Sequence, residues 1–291
     1  TGFGLMALRD GRQQNSTGTA QTVDTQRDIY MYYGKNVGHT HLDILHIVMD
    51  AYGLNMAPDL GYPEMMNGTD PHTNQWTKAT LSHNTVVVNE KSQNSVNKTN
   101  FPLHFDDSGK VKVMDASAND AYNPVTSIYR RSAVMVEVDD SVSYYVDFFR
   151  VKGGKDHIYS FHSLSDQIAG VENLNLIKQP TGSYAGSSIE YGPNTSFMNG
   201  YTWLKNVRKD KSISTDAKTV SVDFKVKDFR KTLYNDQTKL NLRMTMLNDQ
   251  YPLSEVSICE ARPPLINNNP KMLEYARFRR QGPNLDTLFT T

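Results

Sequence analysis

Groups able to do acid–base or metal chemistry crowd into one stretch of this chain, residues 37–88. It opens with Gly38-His39-Thr40-His41-Leu42-Asp43, runs through Ala57-Pro58-Asp59-Leu60-Gly61-Tyr62 and Trp76, and closes on Ser82-His83-Asn84-Thr85 ahead of Val86-Val87-Val88. In an extended segment residues i and i+2 share a face about 7 Å apart, so His39 and His41 are expected to serve one site. Asp59 and His83 can complete it from neighbouring strands. Two neutral imidazoles and a carboxylate suit Zn²⁺, which takes N and O ligands and keeps a position open when only three come from protein.

Each of these residues also has a plainer reading. A histidine pair in a strand is often solvated or hydrogen-bonded for structural reasons, Asp59 beside Pro58 and Gly61 could be a turn residue, and His83 could be polar trim at a strand edge. Gly38 allows close backbone approach, and Asp43 could orient an imidazole N–H from behind a metal. Together the ligand types argue for a metal better than any one residue does. Asn84 and Trp76 are candidates to line a sugar site, because such sites combine amide hydrogen bonds with aromatic faces, although a core position suits Trp76 equally. His46, His72, His104 and His157 have no distinguishing partner spacing and read as structural or solvated. His162, ending a strand beside a turn, is a further candidate.

Other chemistries find little support. There is no Gly-x-Ser-x-Gly, the single Cys259 has no base at a recognisable spacing, and no Gly-rich phosphate loop occurs. A buried, inert thiol is the expected state of Cys259. Lys plus Arg equals Asp plus Glu at 31 each, so no general field draws the chain to nucleic acid or anionic lipid. No window approaches the roughly 18 consecutive apolar residues of a membrane helix. No signal peptide opens the sequence, and both ends lie in strand-like sequence, which predicts a segment of a longer chain.

The elements that must position these residues are short strands. Residues 3–9 and 27–33 read as a long hairpin across a polar connection. His41 to Tyr52 reads as a short helical turn leading into a strand over 53–58, and 63–75 as loop. From Thr85 onward strands are expected over 85–89, 110–115, 127–138, 142–151 and 156–163. Later ones are expected over 171–177, 187–191, 201–207, 219–226, 240–247, 255–260 and 273–279, with 262–270 a long connection. The 291 residues, 38% hydrophobic, can form one large domain. The fold class is all-β, a large antiparallel two-sheet β-sandwich with few short helices.

The same motifs carry a family resemblance. Gly38 to Asp43, then Ala51-Tyr52-Gly53-Leu54, Pro58 to Tyr62, Trp76 and Ser82 to Val88 resemble the C-terminal domain of the heparinase II/III-like polysaccharide lyases. Tyr129-Arg130-Arg131, Tyr145-Val146-Asp147, Ala276 to Arg280 and Leu288-Phe289 are similar to that domain too, so the resemblance covers nearly the whole chain. It implies a supersandwich-type domain over 1–291 that follows an N-terminal (α/α) toroid in a parent chain, with the cleft between the two. It further implies that His41, Asp59 and His83 hold a metal, usually zinc, with Mn²⁺ or Ca²⁺ as alternatives, and that His39 faces the cleft as the catalytic residue of this part.

The activity so implied is β-elimination on a uronic-acid polysaccharide, a glycosaminoglycan or alginate. The location implied is bacterial, periplasmic or secreted, and the isolated domain is expected to be inactive because further catalytic groups belong to the toroid. The reading from another class is a non-catalytic carbohydrate-binding or scaffolding sandwich. A metal hydrolase has less support, because no carboxylate sits at an obvious general-base position beside the ligands.

Overall fold

Alternation of burial along short segments sets this architecture. In Leu5–Asp10 (β1) Met6, Leu8 and Asp10 point inward and the residues between them outward, as a half-buried strand requires. The structure, a computed structural model, describes residues 3–11, 26–65, 68–139, 142–214, 216–229, 231, 233, 240–248, 252–265 and 269–291. After β1 come Arg27–Tyr32 (β2), His46–Ala51 (β3), Leu54–Ala57 (β4), Val86–Val88 (β5), Phe101–Asp106 (β6), Val111–Ser117 (β7), Ile128–Glu137 (β8) and Ser143–Lys152 (β9). Asp156–His162 (β10), Ile168–Glu172 (β11), Ile177–Lys178 (β12), Lys205–Asp210 (β13) and Thr219–Lys225 (β14) follow. Asn241–Leu247 (β15), Glu255–Ala261 (β16), Leu273–Gln281 (β17) and Asp286–Thr290 (β18) complete the series.

The all-β antiparallel sandwich forms as expected, with its strands divided among four hydrogen-bonded sheets instead of two. Their orders are β1-β2-β3-β4, β12-β13-β16-β17-β10-β5, β11-β14-β15 and β18-β9-β8-β7-β6. Side chains from all four meet in one core, among them Leu8, Ile29, Phe149, Tyr159, Phe224, Phe278 and Phe289.

The six-stranded sheet is covered on both faces, and its alternation shows it. Val86, Val88, Ile258, Ala276 and Phe278 enter the main core. Val87, Ile158, Cys259 and Tyr275 enter a second one, closed by Leu60, Trp76, Leu81, Tyr184, Tyr201 and Trp203 from irregular segments. Cys259 is a buried free thiol.

Several local expectations gave way to tertiary pairing. His46–Ala51 is a strand, because its partners on β2 (Ile29 opposite Met49, Met31 opposite Ile47) reward a period of two. Tyr52 and Gly53, both at positive φ, turn the chain into β4, the backbone that a two-residue hairpin needs. Within 63–75 a short helix forms instead of loop alone. Asp70 accepts the Thr73 backbone N–H at 2.9 Å, and the helical turn Thr73–Thr77 carries Trp76 into the second core. Residues 187–191 make turns, 201–203 start as a 3-10 turn, and the exposed edge strand β6 gave no burial pattern to read. The connection expected at 262–270 lies partly outside the described residues.

A buried guanidinium ties the layers together. Arg131 on β8 is fully buried. Its Nε donates to Asp147 Oδ1 at 2.8 Å, and Nη2 donates to Asp147 Oδ2 at 2.9 Å and Tyr159 Oη at 2.7 Å. Nη1 donates to the Leu45 and Asn84 carbonyls, each at 2.6 Å. An arginine has five N–H donors, and here each has an acceptor.

Removing one partner of a buried pair strands the other's charge. Asp147→Ala is therefore expected to lower the unfolding free energy by about 3–5 kcal/mol in urea titrations. Asp286→Ala, which removes the half-exposed partner of Arg150, should cost under about 1 kcal/mol. Equal losses would contradict this account.

Candidate metal centre

Three segments converge at the start of β3, where His46 lies. Residues 39–43 arrive as irregular backbone ahead of that strand, Asp59 follows β4, and His83 leaves a short 3-10 turn, Thr80–Ser82. The extended segment expected around His39 and His41 does not form; the chain bends there. His39 is left exposed, while His41 turns inward, its side chain only 11% exposed. The two histidines part company because backbone direction, and not spacing alone, decides where i and i+2 point.

Asp59 sits at the centre. Its Oδ2 accepts the Gly61 N–H at 2.8 Å, which fixes the carboxylate, and Gly61 takes the positive φ of 70° that this tight turn needs. Its Oδ1 lies 3.0 Å from His83 Nδ1, 3.6 Å from His41 Nδ1 and 3.8 Å from His46 Nε2. Asp43 Oδ2 stands 4.0 Å from His83 Nδ1. One ligand atom each from His41, Asp43, Asp59 and His83 can be chosen so that all lie within 4.8 Å of one another.

Hydrogen bonds sort donors from ligands. His83 Nε2 lies 3.1 Å from the Thr77 carbonyl, an acceptor, so Nε2 carries a proton and Nδ1 is the atom that His83 presents to Asp59. At 3.0 Å that Nδ1 and Asp59 Oδ1 need a positive charge between them, a proton or a metal ion. His46 is the reverse case. Its Nδ1 accepts the Asn84 N–H at 2.8 Å, so Nε2–H points toward Asp59 as a donor, and burial holds this imidazole well below its usual pKa, in the neutral form.

Burial pushes the Asp59 carboxyl up, but the adjacent His41 and His83 imidazoles outweigh it and hold Asp59 well below the usual carboxylate range. Burial lowers His41, yet the adjacent Asp59 carboxylate outweighs it and leaves His41 raised. Burial raises Asp43, against the opposing pull of His83. The buried Asp43 Oδ1, Asp59 Oδ1 and His83 Nδ1 have no hydrogen-bond partner. Buried polar atoms are normally satisfied, so orphaned atoms of two carboxylates and an imidazole fit a divalent cation.

A cleft of about 380 Å³ opens over this cluster, walled by Tyr32, His39, His41, Asp59 and Tyr62. His39, His41 and Tyr62 also border a neighbouring cleft that reaches Lys78.

The matching family model, heparinase II/III-like, C-terminal, covers residues 28–238. The chain belongs to this family. Solved structures share the fold: a heparinase III gene product superposes with a TM-score of 0.60 at 13% identity, over 99% of this chain and 34% of that one. A structure titled heparinase III gives 0.56 at 13% identity, over 99% of this chain and 35% of that one. The heparan sulfate lyase HepC from Pedobacter heparinus gives 0.53 at 12%, over 91% and 32%. This chain thus spans about a third of the length of these solved relatives. No curated protein matches it in sequence.

In this heparinase II/III-like domain, two residues expected to line a sugar site lie in the interior. Trp76 is fully buried, edge-on to Tyr275 at 5.2 Å. Asn84 is also fully buried: it bonds His46, Ile47 and the His162 N–H, and its carbonyl takes Arg131. Both were drawn to the surface only by their residue types. His162 is likewise inside, stacked on Tyr275 at 4.6 Å, and burial together with His83 depresses it to about 3. Asp43 stands nearer the donor set than an orienting role requires. His46, which no spacing singled out, is the residue whose Nε2 faces Asp59 at 3.8 Å, and the β2–β3 pairing sets its place.

Substituting His41 or His83 with Ala is therefore expected to abolish stoichiometric metal in elemental analysis. His46→Ala should keep one equivalent but weaken its affinity by about 10- to 100-fold, as removal of an orienting partner does. Loss of stoichiometry in His46→Ala alone would reverse these roles.

Proposed function

We propose that this chain is the β-sandwich part of a polysaccharide lyase that cleaves a uronic-acid-containing polysaccharide by β-elimination, with a divalent metal, zinc foremost, held by His41, Asp59 and His83 beside Asp43. Family membership supports the reaction class. The observation that carries the reading is a pair of adjoining clefts that share His39, His41 and Tyr62, one over the donor set and the other reaching Lys78. The names of the solved relatives point the substrate toward glycosaminoglycans. A polymer of that kind places the parent protein in the periplasm or outside the cell.

In β-elimination the C5 proton of a uronic acid leaves and the C4–O bond breaks, so the site must neutralise the carboxylate, accept a proton and return one to the leaving oxygen. His39, exposed at the cleft wall, is the group of this chain placed to take or give a proton. Lys78 offers positive charge for a uronate carboxylate, and the Tyr62 ring, 62% exposed, a face for a sugar. These two replace Asn84 and Trp76 as substrate-contacting candidates.

The metal, when bound, supplies a fixed positive charge that pins the three segments beneath the cleft. The Gly61 N–H holds Asp59 in position, with His46 Nε2 3.8 Å away, and the Thr77 carbonyl holds His83. The remaining catalytic groups are assigned to an N-terminal (α/α) toroid of the parent chain, consistent with the share of the solved relatives that this chain spans.

In the complete enzyme, His39→Ala is expected to cut kcat by about 10²- to 10⁴-fold, followed through ultraviolet absorbance of the unsaturated uronide. Metal content and melting temperature should not move. Parallel loss of rate, metal and stability would make His39 a ligand instead. The 291-residue chain alone should fold and show little or no lyase activity; full turnover by it would refute the assignment of groups to a second domain.

A further inference from the structure

The face of the six-stranded sheet beneath Tyr184 holds a second unusual group. Arg277 on β17 is fully buried, and none of Nε, Nη1 and Nη2 has a hydrogen-bond partner among the described residues. Its guanidinium lies over two rings, 5.2 Å from the Tyr275 centroid and 5.3 Å from that of Tyr184. Ring faces attract a cation but do not satisfy its N–H donors. Burying an ion without a counter-charge costs several kcal/mol, and arginine cannot shed its proton to escape that cost.

Strand register shows what surrounds it. Lys209 stands opposite Ser257, Ser257 opposite Arg277, and Arg277 opposite Ser160, so one row across four strands holds two cations, two hydroxyls and no acid. Side chains directly opposite on one face are in contact range. The Ser257 hydroxyl is buried without a partner as well, while Ser160 donates to the Leu81 carbonyl. Glu255, the nearest acid along β16, is already shared by Lys209, Lys211 and the Tyr184 hydroxyl. Burial pushes the Cys259 thiol up to about 11, so it brings no negative charge.

We propose that Arg277 and Ser257, with Lys209 at the end of the row, form an enclosed binding site for a small monovalent anion of the halide class, chloride foremost. The anion accepts the guanidinium N–H groups and the Ser257 O–H and neutralises a charge that the fold leaves unpaired. Aromatic walls on two sides favour a compact, weakly hydrated ion over a phosphate or an organic acid. The Tyr275 ring lies against both Arg277 and His162.

The test uses the purified, metal-loaded full chain. Melting temperature is measured at constant ionic strength while gluconate is replaced by chloride, and crystals grown with bromide are examined for anomalous scattering. A native-state ligand raises the melting temperature with the logarithm of its concentration, so a halide-dependent rise and a bromide peak beside Arg277 are expected. Ser257→Ala should weaken halide affinity about tenfold, the loss of one hydrogen bond to a charged group, and Arg277→Met should abolish the response. If Arg277→Met does not fold, the wild-type and Ser257→Ala results decide. A melting curve blind to halide, water alone beside Arg277, or a bromide peak only at the metal centre would each overturn the proposal.

Discussion

The Arg131 side chain reaches, from the middle of a strand, the two carbonyls that flank the metal-centre segments. Leu45 precedes His46 and takes a left-handed backbone, φ 64°, although it is a fully buried leucine. Asn84 follows His83. A non-glycine residue at positive φ persists only where its surroundings over-determine it, and the guanidinium, locked to Asp147 and Tyr159, supplies that constraint. Site geometry and core stability thus rest on one charge network.

A second polar layer extends this logic. Gln93 uses its amide on both the N–H and the C=O of Ile44, and its Nε2 also reaches Tyr129 Oη, which donates to the Val86 carbonyl at 2.7 Å. Irregular backbone can run through the interior here because side chains replace the missing strand partners. The segments that carry His41, Asp43 and His83 therefore need no regular secondary structure to be rigid.

The two fully buried arginines make an instructive contrast. Arg131 has an acceptor for every N–H, with Asp147 as its counter-charge. Arg277 has rings on its faces and nothing at its edges. The same physical rule that explains the first as a structural hub marks the second, like the orphaned atoms around Asp59, as a place where protein alone leaves a charge unanswered.

The sequence by itself determined the fold class, because period-two alternation and closely spaced turns admit only strands, and most strands from 111 to 162 and from 219 to 290 fall where alternation put them. It also determined which chemistry to look for, since imidazoles and carboxylates concentrated between residues 39 and 83, and His41, Asp59 and His83 do meet. Arg131 and Asp147 were visible only as motif positions; their ion pair bridges adjacent strands and needs the register to be seen.

Tertiary structure alone decided the rest. Pairing with β2 turned a segment with helical spacing into a strand and set His46 facing Asp59, while packing in the second core buried Trp76 and hydrogen bonds to His46, Ile47 and His162 buried Asn84. It also divided His39 from His41, one to the solvent and one to the donor set. Spacing fixes which neighbours share a face only while the backbone stays regular, and around this site it does not.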